Sequence, residues 1–170
     1  MKKFLLLILS LFLFLLPTSC TIQDFTGILP DDDVNNEQKP EEEYFNDYGF
    51  EVIEIELSEL LITEDGIYTS YQEVGAYIYI YEKLPSNYRR KSEFNRADYT
   101  PQNKLSCGGD IFYNRERILP IANGRTYTEC DIDYTGGSRN AKRIVFSSDK
   151  LIFYTSNHYS TFKILRFINA

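Results

Sequence analysis

CGGDIFYNRERILPIANGRTYTECDIDY, residues 107–134, is the stretch from which the fold reads outward. Residues 110–113 and 126–134 have the β-branched and aromatic content of strands, while Asn114, Pro120 and Gly124 punctuate the connection between them. The stretch therefore predicts two antiparallel strands joined by a long polar loop. Upstream, Ser70 and Glu73 have the spacing of a capping box, in which hydroxyl and carboxylate satisfy free amides at a helix start. Val74, Tyr77, Ile78 and Tyr81 then recur at helical spacing, and Leu84-Pro85 predicts the stop. A second short helix is expected from near Arg90 past Phe94. Everything after Leu105 reads as strands, in a meander of four or five with tight turns at Thr135-Gly136-Gly137 and Ser147-Ser148-Asp149. Helices first and strands afterwards make an α+β domain, with N-terminal helices packed on one face of a four- to five-stranded antiparallel sheet.

The N-terminal part is different material. Lys2 and Lys3 precede an apolar run over 4–16 that is too short to span a bilayer and has the layout of an export signal. It ends at Pro17-Thr18-Ser19-Cys20, which resembles bacterial lipoprotein signals, so residues 1–19 are expected to be a signal peptide. Cys20 would then be lipidated and would hold the protein extracellularly on a membrane surface. Residues 21–65 carry fifteen acidic side chains against one basic, Lys39, and predict a largely disordered acidic tether over 20–65. Within it, 50–62 has enough Val, Ile and Leu for a short strand or a helix on the domain, a choice left open. Residues 66–170 reverse the balance, with fifteen Lys and Arg against ten Asp and Glu. The net charge of −7 thus hides a basic domain, and a basic domain suits a polyanionic partner.

Five blocks carry a resemblance: YEKLPSNYRRKSE (81–93), GGDIFYNRE (108–116), GRTYTECDIDYTGGSRN (124–140), RIVFSSDKLIFYT (143–155) and NHYSTF (157–162). In this order and spacing they resemble the barnase/binase family of bacterial guanyl-specific ribonucleases, over roughly residues 68–164. The resemblance implies the microbial ribonuclease fold and cleavage of single-stranded RNA after guanosine. It implies no cofactor and no metal, a monomer, and an acidic inhibitor of the barstar type as a partner. Glu129 matches the general base and His158, the one histidine in the chain, the general acid. Lys91, Arg139 and Arg143 match the cations around the scissile phosphate. The chemistry is coherent: a base takes the ribose 2′-OH proton, an acid protonates the departing 5′-oxygen, and fixed cations stabilise charge gathering on phosphorus. Asp110 and Asp131 are expected to orient Arg139 and its neighbours.

Guanine selection is implied for Phe112, Tyr113, Asn114, Arg115 and Glu116. The Glu116 carboxylate would accept from the guanine N1 and N2 donors, and amides around Asn114 and Arg115 would meet O6. Phe112 reads equally as core or as a base-packing ring, and Tyr159 as a base-packing ring. Four positions depart from the family: Tyr113 replaces a small polar residue, Ser138 an aromatic, and Tyr127 and Lys150 stand where Trp is common. Counted along the two predicted strands, Cys107 and Cys130 fall where they could face each other, as a disulfide or as two buried thiols.

Overall fold

The computed structural model describes residues 48–169. The signal peptide, Cys20 and the tether as far as residue 47 lie outside the described residues. In chain order the elements are β1 (Glu51–Glu56), a 3₁₀ turn (Leu57–Glu59), α1 (Tyr71–Tyr81), β2 (Tyr88–Arg89), a second 3₁₀ turn (Arg96–Asp98), β3 (Ser106–Phe112), β4 (Tyr127–Asp131), β5 (Arg143–Ser147), β6 (Ile152–Thr155) and β7 (Lys163–Ile168).

Several helices on a four- to five-stranded antiparallel sheet is not what forms. Among the described residues there is one α-helix, and the sheet has seven strands in the order β1-β7-β6-β5-β4-β3-β2. It is mixed, because β1 runs parallel to β7 and β2 parallel to β3, while β3 to β7 pair antiparallel. The short helix expected after Arg90 is a turn in which Glu93 and Phe94 N–H groups both donate to the Arg90 carbonyl. Helix does not propagate there because the one turn has no further bonds to follow the cost of nucleation.

β1 resolves the open choice over 50–62 in favour of a strand. Ile53 and Ile55 pack into the core beneath α1, and Val52 into the core on the other face. Glu51 and Glu54 meet Lys163 and Arg166 on β7, so the strand's acidic side chains answer basic ones on its neighbour. Phe50 adds an edge-on contact with Phe153, ring centroids 5.1 Å apart.

α1 begins as its sequence predicts. Ser70 Oγ accepts from the Glu73 N–H and donates to the Glu73 carboxylate, at 3.3 and 2.6 Å. The helix ends at Glu82, whose left-handed backbone (φ 56°) lets its N–H close on the Ile78 carbonyl at 2.8 Å. Val74, Tyr77 and Ile78 pack on Cys130, Ile144, Ile152 and Leu165 of the sheet. The opposite face holds a second core of Tyr127, Val145, Phe153, Phe162 and Ile164, closed by Leu119 and Leu151. Beside that second core the sheet stays open, and the site lies there.

The candidate disulfide is absent, and the register explains why. Cys130 pairs with Gly108, and a Cβ added to Gly108 would lie only 2.4 Å from the Cys130 Cβ. Cys130 therefore belongs to the helix-side core, whereas Cys107, one residue earlier on an alternating strand, turns to the other face beside Arg139 and Asp131. Both are buried free thiols, and burial pushes both thiol pKa values up.

Candidate functional site

β4 supplies the centre of the site. Tyr127, Glu129 and Asp131 alternate onto the open face, and their neighbours continue it: Glu129 pairs with Asp110 on β3 and Val145 on β5, Asp131 with Arg143. Asp131 is buried and gathers two cations. Arg139 donates to both of its oxygens through Nε and Nη2, each at 2.6 Å, a bidentate pair that fixes the guanidinium plane. The Asp131 carboxylate holds the Arg139 pKa above its ordinary value, so this group is a permanent cation. Arg143 Nε stands 2.9 Å from Asp131 Oδ1, close enough for an ion pair though not aligned for a hydrogen bond, and its Nη1 donates to the carbonyls of Asn140 and Lys142.

Glu129 is half-buried and accepts a short hydrogen bond from the Tyr159 hydroxyl through Oε2. Its other oxygen has no hydrogen-bond partner among the described residues. Burial, then the bond to Glu129, raises the Tyr159 pKa well above the usual phenol range, so the phenol stays a donor. Sequence reasoning cast Tyr159 only as a base-packing ring and missed this contact. The available signal was the adjacency of Tyr159 to His158 in a loop returning toward β4.

That loop, 156–162, is wired from below. Thr155 Oγ1 accepts from the Asn157 and Tyr159 N–H groups, and Asn157 Oδ1 accepts from Thr161 N–H. The outcome is two adjacent non-glycine residues in the left-handed region, His158 at φ 56° and Tyr159 at φ 72°. Such a conformation persists only where the surroundings enforce it. His158 is exposed, its N–H donates to the Ala141 carbonyl at 3.0 Å, and its ring centroid lies 5.1 Å from that of Tyr159.

Lys91 approaches from the β2 side. Its backbone N–H donates to Asp110 Oδ2 at 2.8 Å, which ties the segment to the carboxylate directly opposite Glu129, while its side chain is exposed. Of the two carboxylates expected to orient Arg139 and its neighbours, Asp110 holds the Lys91 backbone, while Asp131 holds Arg139 and Arg143.

The loop after β3 divides its residues between two directions. Phe112 turns inward and joins Tyr159 and Phe162, at 5.2 and 6.2 Å between ring centroids, so it is both core and site wall. Asn114, left-handed at φ 45°, spends its side chain on the Leu119 backbone, donating to its carbonyl at 2.8 Å and accepting from its N–H at 3.0 Å. Glu116 is exposed with no partner among the described residues. Tyr113 is not brought to the site rings: it is 70% exposed, with the Arg115 guanidinium over its ring.

The site thus gathers Glu129, Tyr159, Arg139 and Arg143 in direct or one-residue contact, with His158 and Lys91 at its rim and Phe112 as one wall. A carboxylate with one free oxygen, an imidazole and paired guanidinium groups can move protons and hold a phosphate.

A family model described as ribonuclease matches residues 69–166. Ribonucleases of Heyndrickxia coagulans and Bacillus intermedius are each 43% identical over 110 residues, covering 59% of this chain and, respectively, 99% and 67% of those proteins. Among solved structures, ribonuclease Sa2 with guanosine-2′-cyclophosphate aligns with TM-score 0.39 and 22% identity, over 68% of this chain and 96% of that one. β1 lies outside the span that the family model matches.

Proposed function

This chain belongs to the ribonuclease family, and within that RNA-cleaving family we propose that it cuts single-stranded RNA on the 3′ side of guanosine, through a 2′,3′-cyclic phosphate. The observation that carries this reading is the open oxygen of Glu129 on the same sheet face as the two arginines gathered by Asp131. Glu129 removes the ribose 2′-OH proton, the 2′-oxygen bonds to phosphorus, and the bond from phosphorus to the 5′-oxygen breaks. His158 gives that leaving oxygen its proton. Arg139, Arg143 and Lys91 meet the charge that builds on the phosphoryl oxygens, which stabilises the transition state more than the substrate. Hydrolysis of the cyclic product to a 3′-phosphate reverses the two proton transfers.

Tyr159 acts on Glu129. Its hydroxyl holds one carboxylate oxygen and leaves the other for the proton. Guanine is read by the loop after β3, where the unpaired Glu116 carboxylate accepts from the N1 and N2 donors and Phe112 packs on the base. Adenine would leave that carboxylate without donors, a loss comparable to a broken charged hydrogen bond. In the same reading residues 1–19 export the chain, Cys20 anchors it, and an acidic inhibitor protects the cell that makes it.

Four RNAs, each with a single internal G, A, C or U in an otherwise fixed 2′-O-methyl backbone, test the specificity with the full chain. Cleavage is expected in the G substrate, with the A substrate at least a hundredfold slower; equal rates on G and A would remove Glu116 from recognition.

A further inference from the structure

On the helix side of the sheet, behind β4, lies a cavity of about 140 Å³. Its floor is one row across the sheet: Thr128 on β4 pairs with Phe146 on β5, which pairs with Ile152 on β6. The last turn of α1 supplies a wall, with Ile78 and Tyr79. Thr128 stands between Tyr127 and Glu129, whose side chains take the other face of the strand. The cavity therefore shares a strand with Glu129 and shares no lining residue with the site described above.

The walls are firm. Tyr79 is stacked on Phe167, ring centroids 5.0 Å and planes 27° apart, and Ile78 and Ile152 are buried. At the mouth the exposed ends of Lys150 and Glu82 meet at 2.8 Å. Lys150 stands where the family commonly has Trp, and its aliphatic stem, drawn out to Glu82, fills less space than an indole and leaves room beneath the ion pair. The pair spends both charges on each other, so the cavity offers no free counter-charge to an ion. Its remaining polar groups are hydroxyls. Ser148 Oγ accepts from the Thr126 N–H at 3.2 Å, whereas the Thr126 and Thr128 hydroxyls have no hydrogen-bond partner among the described residues.

We propose that this cavity binds a small neutral phenol, one aromatic ring carrying one hydroxyl. The size fits, since an apolar protein cavity of about 150 Å³ takes up benzene. The Tyr79 and Phe146 rings favour an aromatic occupant over an aliphatic one of the same size. The two threonine hydroxyls can each donate to or accept from the ligand hydroxyl. A carboxylate or an ammonium would lose its hydration with no opposite charge to meet it. None of this rests on how the chain cleaves RNA.

The test titrates the full chain with phenol and follows methyl resonances by NMR. Those of Ile78, Ile152, Thr126 and Thr128 are expected to shift together, half-saturating at about 1 mM, the scale for a ligand of so few atoms. Those of Thr155 and Thr161, on the loop that carries His158, should stay in place, and benzoate should move none of them. Lys150→Trp fills the cavity and should abolish the phenol shifts. The pair Thr126→Val with Thr128→Val should weaken phenol about fivefold, the worth of one hydrogen bond, and leave toluene unchanged. Unmoved cavity methyls, equal shifts with benzoate, or phenol binding untouched by Lys150→Trp overturn the proposal. Equal weakening of phenol and toluene by the valine pair removes the hydroxyl from recognition, and the phenol class with it. Displacement of phenol by guanosine 3′-monophosphate, with shifts at Thr155 and Thr161, also overturns it, because the ring would then sit on Phe112 as a base does. A Lys150→Trp chain that fails to fold leaves the decision to the methyl map, the benzoate comparison and the valine pair.

Discussion

Replacing Glu129 with Gln is expected to lower kcat/KM on a single-guanosine RNA by about a thousandfold, the usual scale for loss of a positioned general base. The substitution is chosen because it keeps what surrounds the carboxylate. A glutamine oxygen still accepts from the Tyr159 hydroxyl, so the half-buried pair remains satisfied. The midpoint of thermal unfolding should therefore stay within a few degrees, and RNA binding in a gel-shift experiment should persist. Glu129→Ala should show the same kinetic loss with a further loss of stability, because the Tyr159 hydroxyl loses its acceptor. A Gln variant that cleaves at the unmodified rate would take Glu129 out of the mechanism.

Asp131→Ala is expected to destabilise the fold by about 3–5 kcal/mol, the range found when one member of a buried ion pair is removed. Asp131 is 1% exposed and, among the described residues, is the one carboxylate in an ion pair with Arg139 and Arg143, and Arg143 is itself 3% exposed. Without it the two guanidinium groups, that of Arg143 nearly fully buried, stand side by side without the carboxylate between them, with Arg143 Nε already lacking a hydrogen bond. Cleavage should fall too, because the bidentate bond that sets the Arg139 plane is gone. Urea unfolding followed by circular dichroism measures the first effect and single-turnover cleavage the second. A change under about 1 kcal/mol, typical of an exposed pair, would mean that Asp131 does not hold the arginines.

How much of this was visible beforehand depends on how local each feature is. The capping box at Ser70 and Glu73 is written in four consecutive residues, and the helix starts there. Strands β3 and β4 read in part from their own composition, since the predicted spans 110–113 and 126–134 overlap Ser106–Phe112 and Tyr127–Asp131. β1 was left open because its sequence, EVIEIE, sits among glutamates, and those glutamates make sense only against Lys163 and Arg166, 112 positions away. β2 is two residues long and exists only by pairing with β3, which no periodicity can announce.

The choice at the cysteines, a disulfide or two buried thiols, stayed open for a related reason. Positions on two predicted strands say nothing of a register shift, and here the ladder is irregular between Gly108 and Asp110, where Gly109 takes φ 100°. A bulge of one residue moves side chains to the other face, and it separates Cys107 from Cys130. The same alternation sends Phe112 into the site and leaves Tyr113 outside, which the family pattern of the loop could not distinguish. Tyr159 donating to Glu129 depended on a loop path with two left-handed residues, also beyond reach of composition.

The central claim is that the 2′-hydroxyl of a guanosine attacks its own 3′-phosphate with Glu129 as base. It is tested most directly with two oligonucleotides identical except at one internal guanosine, ribose in the first and 2′-deoxyribose in the second, each digested by the full chain, with the new ends identified by mass spectrometry. The account predicts that the ribose substrate is cut on the 3′ side of that guanosine, giving a 2′,3′-cyclic phosphate that later becomes a 3′-phosphate, and that the deoxy substrate stays intact. Cleavage of the deoxy substrate at the same position, or a 3′-hydroxyl end from the ribose one, would contradict it.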